Sequence, residues 1–194
     1  MENIIENFKL QPLEKASFVK TALATYTQNG VDKAWEIVES HNSVAILIYH
    51  KERKTFVLVK QFRPPVYHRN GDGMTVEMCA GLIDKDKSLI QIAKEEIAEE
   101  CGFNVPVDSI ERITEVLSSV GTSGGTQVIY YAEVDESMRV SEGGGIEDEQ
   151  IEVIEIPTSE AKVFMFDESI GKTVGLMFAF MWWFDRRVHF NAPK

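Results

Sequence analysis

Glu95, Glu96, Glu99 and Glu100 fall within one short stretch of the chain, and that density of carboxylates is its most conspicuous chemical feature. Leu89, Ile92, Ala93 and Ile97 recur at helical spacing through the same stretch, Ser88 is of N-cap type, and Gly102 stands where a glycine ends a helix. The spacing therefore predicts one helix of about four turns that carries all four glutamates. Positions 96, 99 and 100 are related by i, i+3 and i, i+4, so three carboxylates share a face and repel by roughly a few tenths of a kcal/mol per pair. A hard divalent cation such as Mg²⁺ offsets that repulsion, because it takes carboxylate oxygens and completes its shell with waters and substrate phosphates. Taken alone, Glu-Glu-x-x-Glu-Glu is also the pattern of a solvated acidic face.

Other residues could join such a site. Arg63 leaves a strand in Gln61-Phe62-Arg63-Pro64-Pro65, and its planar fork matches phosphate oxygens, although a surface arginine fits the same pattern. Glu77 is the one charged member of the apolar run Met74 to Ala80, where a carboxylate needs a partner; it is either half of a structural ion pair or a site residue. The small-residue loop from Ser118 to Gly125, with Gly121 and Thr122 at its centre, could bring backbone N–H groups against phosphate or sugar oxygens, or be a plain connection. A second acidic segment, Gly143-Gly144-Gly145-Ile146-Glu147-Asp148-Glu149, reads as a solvated mobile loop whose carboxylates could also swing toward the helix. Trp35 is a core or interface aromatic, or a platform for a nucleobase or sugar.

The elements that must position these groups follow from period and punctuation. Gln28-Asn29-Gly30 is a hairpin turn between two β-compatible runs within residues 15–40. Strands are expected over Ser43 to His50, Thr55 to Gln61, Met74 to Ala80, Ile113 to Leu117, Gln127 to Val134 and Ile151 to Ile156, with a proline-fixed turn after Arg63. Thr158 to Phe166 and Lys172 to Arg187 read as two helices, with Phe178, Trp182 and Trp183 as core or interface aromatics.

The stretch from Gly81 to Phe103 resembles the Nudix box, G-x5-E-x7-R-E-U-x-E-E-x-G-U, where U is aliphatic or aromatic. Gly81, Glu96, Ile97, Glu99, Glu100, Gly102 and Phe103 fall in register. Two positions depart: Lys87 stands at the first consensus glutamate and Glu95 at the arginine, which in the family helps orient a metal-binding glutamate. Lys94 is adjacent to Glu95 but about 100° away around the helix, so it does not replace that arginine. With Leu58 to Pro64, Thr75 to Asp84 and Gly143 to Val153, the chain is similar to the nucleoside-diphosphate-sugar branch of the Nudix hydrolases over residues 20–185.

The resemblance implies an α/β fold, the Nudix α/β/α sandwich with a mixed β-sheet, in which residues 1–42 form an N-terminal β-hairpin extension used in dimerisation and 43–194 the hydrolase domain. It implies Mg²⁺, with Mn²⁺ as a substitute, held by Glu96, Glu99, Glu100 and the carbonyl of Ala80. Glu147 or Glu149, with Glu99, would be catalytic, and Arg63, Glu77, Gly121, Thr122 and Trp35 would bind substrate. The reaction implied is hydrolysis of the pyrophosphate bond of a sugar nucleotide of the UDP-glucose type. ADP-ribose is the alternative substrate, and a nucleotide-sugar-binding module without turnover the remote one. The expected partners are the small-molecule substrate and a second copy of the chain.

Composition agrees. With 194 residues and 44% hydrophobic content the chain can bury one good core. A net charge of −11 opposes binding to nucleic acid or anionic membranes. Cys79 and Cys101 lack metal or disulfide spacing and read as reduced, buried thiols. The start lacks a secretory pattern, and the longest apolar run, Val174 to Phe184, is about half a membrane span, so a cytoplasmic enzyme is expected.

Overall fold

A computed structural model describes residues 4–84, 86–146 and 148–190, the side chains of 187–190 excepted. The chain begins with an antiparallel hairpin, β1 (Lys20–Gln28) and β2 (Val31–Glu39), closed by Asn29 and Gly30, both at positive φ as a tight turn requires. The remaining strands are β3 (Ser43–His50), β4 (Thr55–Phe62), β5 (Met74–Glu77), β6 (Cys79–Leu82), β7 (Glu111–Ser118), β8 (Gly125–Val134) and β9 (Ile151–Pro157). They form one sheet in the order β5-β4-β3-β8-β7, with β6 also paired to β3 and β9 to β4. The β3–β8 pair is parallel and the others antiparallel, so the sheet is mixed.

The central strand Ser-Val-Ala-Ile-Leu-Ile-Tyr-His is apolar at nearly every position, as a strand covered on both faces must be. Alternate side chains sort accordingly. Val44, Ile46, Ile48, Val57, Val59, Val128 and Tyr130 pack with Ile92, Ala93, Ile97 and Cys101 of α2 (Leu89–Cys101). Ala45, Leu47, Tyr49, Phe56, Leu58, Ile129 and Tyr131 pack on the other face against α3 (Ala161–Phe166) and α4 (Val174–Phe190), with Phe180 and Trp183 at the centre. The result is helix, sheet, helix in three layers. Full burial of each large side chain contributes about 1.5–3 kcal/mol, so neither helix layer can be peeled away without loss of the fold.

One feature of the pairing creates the site. The C-terminal end of β3 pairs with β4 (Ile48↔Val57 to His50↔Thr55), whereas its N-terminal end pairs with β6 (Ser43↔Leu82 to Ile46↔Cys79). The two neighbours diverge from one strand; β5 takes over the end of β4 and β6 the start of β3, so a wedge opens where β5 and β6 part at Met78.

Three local expectations are corrected. The run Met74 to Ala80 is two strands rather than one, because after pairing β4 the chain breaks at Met78 and crosses to β3. The proline turn after Arg63 is a short helix, α1 (Pro64–Asn70), in which Pro64 takes the first helical position, where no N–H is needed. The first C-terminal helix starts at Ala161, three residues later than read. The hairpin is exposed on both faces, with Leu23, Tyr26, Val31 and Trp35 all open to solvent. Among the described residues no helix is long and apolar enough to cross a membrane.

Candidate active site

Helix α2 runs from an N-terminus at Ser88, whose backbone N–H and hydroxyl both donate to Gln91 Oε1 at 3.3 and 3.0 Å, to Gly102 in the left-handed conformation. Its apolar stripe fixes the rotation of the helix against the sheet. The opposite edge of that stripe then turns Glu96, Glu99 and Glu100 toward the wedge. They line a cavity of about 500 Å³ together with Ala80, Gly81, Asp84, Arg63, Glu77 and Glu149.

Glu100 is the most deeply placed, only 4% exposed. The N–H of Ala80 donates to its Oε2 at 2.9 Å, which ties the helix to β6. Burial, the leading cause, raises its carboxyl to about 7, and the nearby Glu96 and Glu149 carboxylates push it the same way against the bonds from Ala80 and Cys79. Glu96 lies directly over Gly81: a Cβ at that position would come 2.2 Å from its carboxylate, so a larger residue there would force Glu96 to move. Cys79 and Cys101 are free and buried beneath, as read, and burial holds the Cys79 thiol well up.

Facing these glutamates is a charge pair. Arg63 Nε and a terminal guanidinium nitrogen donate to the two oxygens of Glu77, each at 2.8 Å, and Thr75 Oγ1 donates to Glu77 Oε1 at 2.6 Å. Burial pushes the Glu77 carboxyl upward, but the bonds from Arg63 and Thr75 outweigh it, and the pKa lies below the usual carboxylate value. Arg63 is stabilised as a cation chiefly by that hydrogen bond, with further attraction from Glu77, Glu100 and Glu149. Both readings of Glu77 thus meet in one residue: it is an ion-pair partner and it lines the cavity.

Glu149 is carried by the glycine run. The N–H groups of Gly144 and Gly145 donate to the last carbonyls of α2, those of Glu100 and Glu99, at 2.8 and 3.1 Å. All three glycines have positive φ, and a Cβ at Gly143 would come 2.3 Å from the Glu100 carbonyl oxygen. The segment is therefore docked on the helix end and not free in solvent. Glu149 Oε2 accepts from the N–H of Ile146 at 2.9 Å, which holds the carboxylate at the cavity rim. Glu147 lies outside the described residues.

The two departures from the box pair with each other. Lys87 Nζ donates to both oxygens of Glu95, at 2.6 and 2.8 Å. A cation from the loop after β6 and an anion on the helix stand where the consensus has an anion and a cation. The pair keeps its place and reverses its sign. In the sequence they stand as two separate departures, since nothing local links positions eight residues apart across a loop and a helix start. Trp35, Gly121 and Thr122 are brought together away from the cavity lining: Trp35 Nε1 donates to the Gly121 carbonyl at 2.9 Å, and Val38 N–H to that of Thr122 at 2.9 Å. The Trp35 ring is 55% exposed. Ser43, Gln61 and Gln127 also line the cavity and were not anticipated, because neutral polar residues in strands carry no motif.

This arrangement can hold a divalent cation. Among the described residues no group of three or more His, Cys, Asp or Glu side chains closes into a finished ligand shell. Yet the donors are all hard oxygens, the suitable kind for Mg²⁺, and ionisation of Glu100 is opposed by burial and by its acidic neighbours, a cost that a cation relieves. Glu96 lies over Gly81, and it and Ala80 line the same cavity. Arg63, facing the carboxylates across the cavity, can donate to an anionic oxygen there.

No family model matches the chain. Individual proteins do. The chain is 37% identical to the uridine diphosphate glucose pyrophosphatase NUDT14 of Bos taurus, across 82% of this chain and 85% of that protein. It is 43% identical to the GDP-mannose pyrophosphatase of Salmonella typhimurium, across 73% of this chain and 74% of the relative. The GDP-mannose pyrophosphatase of Cronobacter sakazakii is 44% identical across 65% of each chain.

Proposed function

Because the chain belongs to the Nudix hydrolases of nucleotide sugars, we propose that this cavity is the active site of a UDP-glucose-type diphosphatase that depends on Mg²⁺. The reaction is hydrolysis of the pyrophosphate bond of a nucleoside-diphosphate sugar, giving a nucleoside monophosphate and a sugar 1-phosphate. The observation that carries the assignment is the gathering of Glu96, Glu99, Glu100, the Ala80 carbonyl and Glu149 around one cavity with Arg63 opposite.

The residues divide the work. Glu96, Glu99, Glu100 and the Ala80 carbonyl would hold the metal, with Mn²⁺ as a substitute. A bound divalent cation supplies neutralisation of the phosphates and a lowered pKa for the attacking water. Arg63 holds a phosphate oxygen, and Glu77 keeps its guanidinium oriented. Glu149, at the rim and within the glycine-anchored segment, takes the proton from water at its carboxylate; Glu147 is the other candidate for that step. Trp35, fixed by its bond to Gly121 and half exposed, lies away from the lining of its own chain's cavity; with Thr122 it would offer a nucleobase a stacking surface at the cavity of a second copy.

The hairpin supports a dimer. A two-stranded ribbon exposed on both faces is at best marginally stable by itself, and among the described residues nothing covers Leu23 and Val31, which a second copy would bury. Residues 1–42 are thus proposed as the extension by which two copies associate, residues 43–194 as the hydrolase domain, and the protein as cytoplasmic. Light scattering of Leu23→Lys should show a shift from dimer to monomer, and fractionation of cells should recover the protein in the soluble cytoplasmic fraction.

The GDP-mannose relatives favour that sugar nucleotide as the second substrate to examine, and ADP-ribose is the third. The test is Mg²⁺-dependent release of monophosphate from all three, with products identified by phosphorus NMR. UDP-glucose or GDP-mannose should be cleaved at the anhydride. A strong preference for ADP-ribose would replace the substrate, and silence across the panel would leave a binding module.

A further inference from the structure

The acidic helix and Arg63 account for a diphosphate, but one part of the same cavity has a different chemistry. Ser43, at the start of β3, and Gln127, at the start of β8, are direct partners in the parallel register, and Gln127 Nε2 donates to Ser43 Oγ at 3.2 Å. Val44 and Val128 belong to the core on the α2 side and Ala45 and Ile129 to the core on the α3–α4 side. Strand alternation therefore sends Ser43 and Gln127 to the α3–α4 side, away from the glutamates. Both side chains nevertheless line the same cavity as the glutamates, so its lining draws on residues from both faces of the sheet.

Their hydrogen-bonding capacity is only partly used. The Ser43 hydroxyl hydrogen, the second N–H of Gln127 and its Oε1 make no further hydrogen bond among the described residues. Gln127 Oε1 is not sealed from solvent either, since among the described residues the buried polar side-chain atom left without a hydrogen-bond partner is His50 Nε2. A hydroxyl and a carboxamide each donate and accept, carry no charge and leave cations to the opposite wall. That combination suits neighbouring hydroxyl groups of an uncharged polyol and suits a phosphate poorly.

We propose that Ser43 and Gln127 form the subsite for the hexosyl group of the substrate and set the enzyme's preference for a sugar nucleotide over other compounds with the same anhydride. The inference rests on the diphosphatase reading and adds to it where the sugar lies. Gln127 and Ser43 discriminate by hydrogen bonds that are formed only when a hexose is present, so an analogue without one neither gains from them nor suffers from their loss.

The probes are UDP-glucose and uridine 5′-diphosphate methyl ester, which keeps the nucleoside and the anhydride and lacks the sugar. Gln127→Met preserves length without the amide, and Ser43→Ala is the smaller change should the first variant fold poorly. Loss of one such contact is expected to lower kcat/KM for UDP-glucose about tenfold or more, with the methyl ester unaffected. Equal losses on both probes would assign the pair to positioning the strands and overturn the proposal, as would no loss on either. Calorimetric binding of the two probes separates the two readings: sugar-dependent affinity that vanishes in Gln127→Met upholds the subsite even if wild-type turnover is absent, whereas turnover without sugar-dependent affinity overturns the subsite alone.

Discussion

Replacing Glu100 with glutamine should make the metal-free protein more stable while it disables the enzyme. The folded-state pKa of Glu100 is raised from the ordinary 4.5 to about 7, mainly by burial. Between those values the native state binds a proton that the unfolded chain has already released, so the stability due to the neutral carboxyl is full at low pH and is lost as pH rises through about 7. At roughly 1.4 kcal/mol per unit, the ionised group costs the fold up to about 3 kcal/mol at pH 8. The carboxamide of Glu100→Gln keeps an acceptor for the Ala80 N–H, which lies 2.9 Å from Oε2 of the native side chain, and removes the charge. Urea unfolding in EDTA, followed by Trp fluorescence, should show Glu100→Gln ahead by about 2–3 kcal/mol at pH 8 and by less than about 1 kcal/mol at pH 5. Millimolar Mg²⁺ should then stabilise wild type and leave the variant unchanged, and turnover should fall on the order of 10³-fold. A variant less stable than wild type at pH 8 would mean that Glu100 carries no buried-charge cost, and near-normal turnover would remove it from the metal site.

Lys87→Glu sets two carboxylates against each other and Glu95→Arg two cations, and the double exchange restores a pair of the consensus sign. A double-mutant cycle should give a coupling of about 0.5–1 kcal/mol, small because both side chains are partly exposed. Gly81→Ala drives a methyl group into Glu96 and should lower Mg²⁺ affinity more than tenfold, as read by calorimetry, for a stability loss of about 1–3 kcal/mol. Arg63→Met leaves Glu77 buried without its partner; the loss, about 2–3 kcal/mol after allowance for the part-exposed guanidinium, is greatest at neutral pH. Because the Glu77 pKa is depressed, that contribution is present above the ordinary carboxylate value and fades as pH falls through the lowered one, so the variant and wild type should converge in acid.

The carboxylate helix was legible because every local cue agreed: the period of Leu89, Ile92, Ala93 and Ile97, the cap at Ser88 and the stop at Gly102. The doubly covered strands β3, β4 and β8 announced themselves by unbroken apolar runs. What stayed hidden was whatever two distant segments create together. Met78 looks like one more apolar residue, and only the competition of β3 and β4 for the same chain makes it a crossing point. Pro64-Pro65 serves a turn and a helix start equally well. The Lys87–Glu95 pair looked like two separate losses until the fold joined them, and Ser43 with Gln127, 84 positions apart, left no trace in either segment.

The docking of Gly143 to Gly145 on the end of α2 also bears on which length variants the chain can accept. Surface loops usually absorb insertions and deletions because few contacts depend on their spacing. Here two successive amides are matched to two successive helix carbonyls, and the first glycine has backbone against its missing side chain. A residue gained or lost in this run cannot be taken up locally. It would break the match at the helix end or carry Glu149 out of register with the cavity, so an acidic, glycine-rich segment that looks like the most expendable part of the surface has one of its most tightly constrained lengths.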